Sequence, residues 1–215
     1  NKIDSKEIIN YLEKVYKPKL FLKATKETET LLDVSNALIW VYSEMKVVFP
    51  EANFIYLRRN GYKVITSFYN KFPELMYNKT HSIKQNQIIK NSGIKNLPLD
   101  KRFLRPLFSL DFNSKNWRFK QLCSYWNECE NLSLIHKIKS YKFEDLIEFD
   151  NQFNKFVEDT NLDRSLLLKG MQKPVNVGAP INYKMLKEDK DLFIQICEKN
   201  MNHFNYKLDG YEVKY

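Results

Sequence analysis

Apolar positions in the first part of the chain follow helical spacing and then a short β-type run. Asp4, with Glu7 three residues later, forms a capping-box pattern, and apolar residues recur at helical spacing over 8–16. This pattern predicts an amphipathic helix that Pro18 ends. The apolar run 20–23, bounded by that proline and by a polar cluster, predicts a short buried strand.

The next part of the chain continues with helix and strand in turn. Apolar spacing predicts a helix that contains Leu38 and ends near Pro50, a strand over 54–57 and a second helix over 64–72. Strands and helices that alternate in this way are typical of parallel strands joined by right-handed helical crossovers. The pattern therefore predicts an α/β fold.

The rest of the chain contains one long polar interruption. Residues 73–116 are rich in Asn, Lys and Pro, which indicates a variable insertion with little regular structure. We interpret the whole chain, 1–215, as a single α/β domain that carries this insertion. Beyond it the pattern predicts a helix over 118–129, a strand over 134–143, a short helix over 153–157, an irregular stretch over 163–182 and a final helix over 192–204.

Charge narrows the possible partners without deciding among them. The 215 residues include 35 Lys and Arg against 26 Asp and Glu, a net charge of +9. This excess favours an anionic partner, which could be a nucleotide, a nucleic acid or an acidic peptide. Stretches without charged residues, such as 34–43, are too short to cross a bilayer, so we expect no membrane span.

Cysteine and histidine usage indicates neither a disulfide scaffold nor a metal site. The three cysteines cannot all pair within one chain, and their sparseness is typical of buried thiols in a reducing compartment, so we expect a cytoplasmic protein. The three histidines stand apart and no CxxC spacing occurs. We expect no metal.

The segment after the strand 54–57 carries the residues best suited to bind an anion. Arg59 follows the strand directly, and Asn60 and Gly61 begin the next helix, whose unpaired amides favour a phosphate. Lys63, Ser67 and Lys71 are spaced four residues apart and share one face of that helix. A solvated basic face is the commoner meaning of such spacing. The position at the end of a strand favours binding.

This segment resembles the sulfotransferases that use 3′-phosphoadenosine 5′-phosphosulfate. In that family a strand leads to an Arg, and a Ser eight residues later helps it to hold the nucleotide 3′-phosphate; Arg59 and Ser67 have this separation. The approach 49–55, Phe-Pro-Glu-Ala-Asn-Phe-Ile, is similar to the family's, and Lys173-Pro-Val-Asn-Val-Gly-Ala179 looks like a late stretch of the tyrosylprotein sulfotransferases. The resemblance implies a P-loop-NTPase-like parallel sheet flanked by helices, the sulfotransferase fold. It also implies transfer of a sulfuryl group from the nucleotide donor to a hydroxyl-bearing acceptor, without a metal.

The resemblance also implies roles for individual residues. Lys23 falls where the family has a catalytic Lys at the end of a strand, which would stabilise the bridging oxygen. Phe143, in Phe-Glu-Asp-Leu, stands in place of a Tyr that packs near the adenine. The other residues that the resemblance implies as nucleotide contacts are Lys71, Ser165, Lys173 and Lys184.

One family feature is missing. No Gly-, Ser- or Thr-rich loop of the kind that binds the 5′-phosphosulfate occurs, which together with the start at Asn1 suggests a fold that is incomplete at its N-terminus. The catalytic base and the acceptor stay unidentified. Two alternatives remain: a basic nucleic-acid-binding α/β module, and a catalytically inactive fragment with the sulfotransferase fold.

Overall fold

A computed structural model describes residues 4–22, 30–34, 38–71, 117–148, 150–171 and 186–207. These residues fall into two compact units, one formed by the described residues up to Asn53 and the other by those from Phe54 onward. The predicted insertion 73–116 lies outside the described residues, and the single-domain interpretation stays a prediction.

The first unit opens with the predicted amphipathic helix. Its first part is α1 (Ser5–Tyr11), and the carboxylate of Asp4 caps it by accepting the backbone N–H of Lys6 at 3.0 Å. The helical spacing buries Ile8 and Leu12 completely. The predicted N-terminus of this helix is confirmed.

The predicted end of this helix at Pro18 is wrong. A π-helical turn (Leu12–Tyr16) leads directly into α2 (Lys17–Phe21), where Pro18 occupies the first turn. The π-helical turn changes the backbone hydrogen-bond pattern just before Pro18, so the helical path continues past the proline. The strand predicted over 20–23 is therefore also wrong over 20–22, which continue the helix and its C-cap, and Leu22 is 82% exposed.

The next helix agrees with its prediction. A 3₁₀ turn (Leu38–Val41) leads into α3 (Tyr42–Val48), which ends two residues before Pro50. Helices α1 and α3 pack together, and the hydroxyl of Ser5 donates to the buried carboxylate of Glu44 at 2.8 Å.

The second unit contains a two-stranded parallel sheet. Strand β1 (Ile55–Arg58) pairs with β2 (Lys139–Lys142), and Arg58 lies opposite Lys142. The strand predicted over 54–57 is confirmed with a shift of one residue. The strand predicted over 134–143 is shorter than expected, because the preceding helix continues to Ile135 and Phe143 begins the next helix.

Three helices form the apolar core beside this sheet. They are α4 (Gly61–Lys71), α5 (Trp117–Ile135) and α9 (Lys187–His203), and each confirms a predicted helix. The rings of Phe119 and Phe193 are buried in this core. Tyr62 packs against Phe193 in an edge-to-face arrangement, with 5.8 Å between the two ring centroids.

Three shorter helices complete the second unit. They are α6 (Phe143–Glu148), α7 (Asp150–Thr160) and α8 (Arg164–Met171). Helix α7 confirms its prediction. Helix α8 shows that the irregular stretch predicted over 163–182 is wrong over 164–171, because the carboxylate of Asp163 accepts the N–H of Leu166 at 2.9 Å and begins a helix.

The described residues thus combine many helices with a small parallel sheet, an α/β-type arrangement. None of the helices that the structure describes is both long enough and apolar enough to span a membrane.

Candidate functional site

Both strands of the parallel sheet end at the same edge, which brings two predicted nucleotide contacts together. Arg59 directly follows β1 and Phe143 directly follows β2. The guanidinium carbon of Arg59 lies 5.5 Å from the centroid of the Phe143 ring. The carboxyl edge of a parallel sheet is where ligands bind in open α/β folds.

The backbone around Arg59 is held by a buried indole. Trp126, which is 4% exposed, donates its Nε1–H to the carbonyl of Arg59 at 3.0 Å. A Cβ at Gly61 would lie 2.8 Å from two carbons of the same indole, so any other residue would displace the indole. Tryptophan and glycine together fix the turn that follows β1.

The Arg59 side chain retains a donor. Its Nε is buried, and among the described residues it has no hydrogen-bond partner. Phe143 is 40% exposed, so part of this residue is accessible to a ligand. A planar cation beside an exposed ring suits a ligand that combines a phosphate with an aromatic base.

Asn60 caps helix α4 with both its side chain and its backbone. Its side-chain oxygen accepts the N–H of Lys63 at 3.2 Å, and its carbonyl accepts the N–H of Val64 at 3.0 Å. Its own N–H donates to Oε1 of Glu144 at 3.1 Å. The expectation that the amides at this helix N-terminus are unpaired is therefore corrected for Asn60 and Lys63, whose N–H groups bond to groups of the protein itself.

Glu144 places a negative charge at this turn. Besides the Asn60 amide, its Oε1 lies 4.0 Å from Nζ of Lys63, and its Oε2 accepts the hydroxyl of Tyr206 at 3.4 Å. The phenol of Tyr206 has its pKa raised, first by burial and then by this carboxylate. Glu144 is not among the predicted site residues, although it follows Phe143 directly in the family-like Phe-Glu-Asp-Leu stretch.

A buried charged cluster that is not among the predicted sites lies beside this edge. Arg58 forms an ion pair with the fully buried Glu130, with 3.3 Å between Nε and Oε2. Glu130 also accepts a hydrogen bond from the hydroxyl of Tyr56 at 3.0 Å. The guanidinium carbon of Arg58 lies 3.5 Å from the centroid of the Phe204 ring. Burial raises the pKa of Glu130 to about 7, against the opposing effects of the Arg58 charge and the Tyr56 hydrogen bond.

A sequence signal for this cluster exists. Phe119, Cys123, Trp126, Glu130 and Ser133 are spaced four, three, four and three residues apart, so Glu130 lies on the buried face of α5. A charged residue on an otherwise apolar face requires a buried partner. Arg58 is that partner of Glu130. Side chains alternate between the two faces of a strand, so Arg58 and Tyr56 project from the same face of β1.

The remaining predicted site residues are not brought to this edge by any described contact. Ser67 is exposed on α4, about 10 Å along the helix axis from Asn60 at 1.5 Å per residue, so its sharing of a phosphate with Arg59 stays a prediction. Ser165 is exposed at the start of α8, where its hydroxyl donates to Asp163 at 2.6 Å. Lys71 ends α4, and nothing is described of its side chain.

Three predicted site residues lie outside the described part of the chain. They are Lys23, Lys173 and Lys184. For Lys23 one premise is corrected, because the residues 17–22 before it form a helix and its C-cap and not the expected strand.

Comparison with protein-family models, with curated proteins and with solved structures finds no match to this chain. Within the described residues, no group of three or more His, Cys, Asp or Glu side chains is arranged to hold a metal ion. The candidate site therefore depends on the chain's own residues at the sheet edge.

Proposed function

We propose that this protein is a sulfotransferase that binds 3′-phosphoadenosine 5′-phosphosulfate at the carboxyl edge of the parallel sheet. One observation carries the proposal. Arg59 and Phe143, which come from two separate family-like motifs, lie side by side at this edge with 5.5 Å between guanidinium carbon and ring centroid. Arg59 would bind the 3′-phosphate and Phe143 would pack against the adenine.

The local chemistry supports this use of the two residues. The buried Nε of Arg59 offers a donor that no described group of the protein accepts. Its backbone is fixed by Trp126, so a phosphate would bind to a turn that is already ordered. The finer fold that the resemblance implies, the sulfotransferase fold, belongs to the same proposal.

The bound donor would supply an activated sulfuryl group, which the acceptor hydroxyl attacks in line. The new bond forms between the acceptor oxygen and sulfur, and the bond between sulfur and the phosphate oxygen breaks. Adenosine 3′,5′-bisphosphate leaves with the bonding electrons, and the hydroxyl proton passes to a base not identified in this chain. Lys23 is the proposed stabiliser of the leaving phosphate oxygen.

Calorimetric titration with adenosine 3′,5′-bisphosphate and with ADP tests the proposal. We expect the bisphosphate to bind at least about tenfold more tightly, because a lost charge-assisted contact costs about 1.5–3 kcal/mol. Equal affinity for the two nucleotides would contradict it. Steep salt dependence with RNA or DNA and no preference for the bisphosphate would favour the nucleic-acid-binding alternative instead.

A further inference from the structure

The carboxylate of Glu144 lies at the turn between β1 and α4, where an anionic ligand would bind. It accepts the Asn60 N–H at 3.1 Å and lies 4.0 Å from the Lys63 ammonium. A backbone amide at a helix N-terminus and a neighbouring lysine are groups that bind phosphate or sulfate in other proteins. Here a carboxylate of the chain itself uses both.

The turn also contains donors that no described group uses. Asn60 is completely buried, and its side-chain Nδ2 has no partner among the described residues although its Oδ1 caps the helix. The Nε of Arg59, one residue earlier, is likewise without a described partner. Buried donors without acceptors are uncommon in folded proteins, so these two donors on adjacent residues are the groups of the turn that a bound acceptor would satisfy.

Glu144 is held in this position from two sides. Its second oxygen accepts the Tyr206 hydroxyl at 3.4 Å, and its backbone lies in the first turn of helix α6, next to Phe143. Because the carboxylate is held at the amide of Asn60, the residue after Arg59, its negative charge stays at the turn where an anion would bind to Arg59. The charge opposes such binding, and the opposition is strongest for small anions that gain nothing from the Phe143 ring.

We propose that Glu144 is a specificity-determining residue that lowers the affinity of the β1–α4 turn for free inorganic anions such as sulfate. The site then favours an anion that carries an aromatic group able to pack on Phe143. The inference takes its aromatic ligand from the proposed function, whereas the effect of Glu144 on inorganic anions depends only on the geometry of the turn.

Titration with inorganic sulfate, followed by calorimetry, tests this role. Glu144→Gln removes the charge and keeps an oxygen that can accept the Asn60 N–H, and we expect it to bind sulfate about 5- to 30-fold more tightly than the wild type. Glu148→Gln is the matched control, because it makes the same charge change at an exposed position of the same helix. We expect its affinity to stay within about twofold of the wild type, since exposed charges are strongly screened.

A second neutral variant keeps the test decisive if the first one does not fold. We expect Glu144→Ala also to bind sulfate more tightly than the wild type, and either variant that retains cooperative unfolding carries the test. A folded neutral variant whose sulfate affinity is equal to or weaker than that of the wild type would overturn the proposal.

A parallel titration with adenosine 3′,5′-bisphosphate separates this inference from the proposed function. Tighter sulfate binding by Glu144→Gln, with no variant preferring the bisphosphate to ADP, would support the role of Glu144 and contradict the sulfotransferase proposal. If the wild type prefers the bisphosphate to ADP but Glu144→Gln binds sulfate no more tightly than the wild type, the sulfotransferase proposal is supported and the role of Glu144 is contradicted.

Discussion

Substitution of Gly61 by alanine should destabilise the protein, because the added methyl group would clash with the indole of Trp126. The added Cβ would lie 2.8 Å from Cδ2 and Cε2 of Trp126 and 3.0 Å from Cε3. Comfortable carbon contacts are about 3.5–4.0 Å, so the indole must move by roughly 0.5–1 Å. Trp126 is 4% exposed within a packed core, which leaves it little room to move.

The cost has two parts. Overpacking of a core costs about 1–3 kcal/mol. Movement of the indole also weakens its 3.0 Å hydrogen bond to the Arg59 carbonyl, which contributes about 1 kcal/mol. Alanine regains at most about 1 kcal/mol of helix propensity at this position. We therefore expect Gly61→Ala to lower the free energy of unfolding by about 2 kcal/mol, measured by urea denaturation with tryptophan fluorescence.

A double-mutant cycle assigns this cost to Trp126. Trp126→Phe removes the larger ring that the methyl group would strike, so Gly61→Ala should cost clearly less in that background. Ser67→Ala, at an exposed position of the same helix, is the control and should change the free energy of unfolding by less than about 0.5 kcal/mol. A Gly61→Ala variant as stable as the wild type, or an equal cost in both backgrounds, would refute this account of the turn.

Three further predictions concern the buried groups around the same edge. Because burial raises the pKa of Glu130 from 4.5 to about 7, its contribution to stability is present below pH 4.5 and is lost as the pH rises through about 7. The free energy of unfolding of the wild type, measured relative to Glu130→Gln, should thus fall by up to about 3 kcal/mol between pH 4.5 and 8, and a pH-independent difference would contradict this. Asn60→Ala should cost about 1 kcal/mol of unfolding free energy through loss of the α4 cap, whereas Asn60→Ser should retain most of it; equal stability of the two variants would argue against the cap. The buried thiols of Cys123, Cys129 and Cys197 should react with a thiol reagent only slowly in the native protein and rapidly in denaturant, and fast native labelling would contradict their burial.

Helices α4 and α9 and strand β1 were predictable because each has a strong local signal. The α4 and α9 helices follow apolar spacing over several turns, and β1 is a β-rich run that ends at Arg58. Errors arose where a local signal has two meanings. The run 20–23 is apolar enough for a strand, yet the helical path continues past Pro18 after a π-helical turn. Asp163 begins the stretch that the pattern predicts to be irregular, although an Asp before an apolar stretch also begins helices.

The candidate site was predictable only in part, because its geometry depends on contacts between distant residues. Arg59 and Phe143 could be selected from motifs, but their adjacency depends on the parallel pairing of β1 with β2. The hydrogen bond from Asn60 to Glu144 has no local sequence signal, since it joins two different helix starts. Glu130 was detectable as a charged residue on an apolar face. Its pairing with Arg58 could be predicted only after β1 is placed against α5.

The effect of Arg59→Ala on the binding of adenosine 3′,5′-bisphosphate tests the central claim most directly. We expect this variant to bind the bisphosphate about 10- to 150-fold more weakly by calorimetry, as follows from loss of about 1.5–3 kcal/mol of binding free energy. Lys199→Ala, which removes one positive charge at an exposed position of α9, should bind it as the wild type does. Equal affinity of Arg59→Ala and the wild type would contradict the assignment of this sheet edge as the nucleotide site.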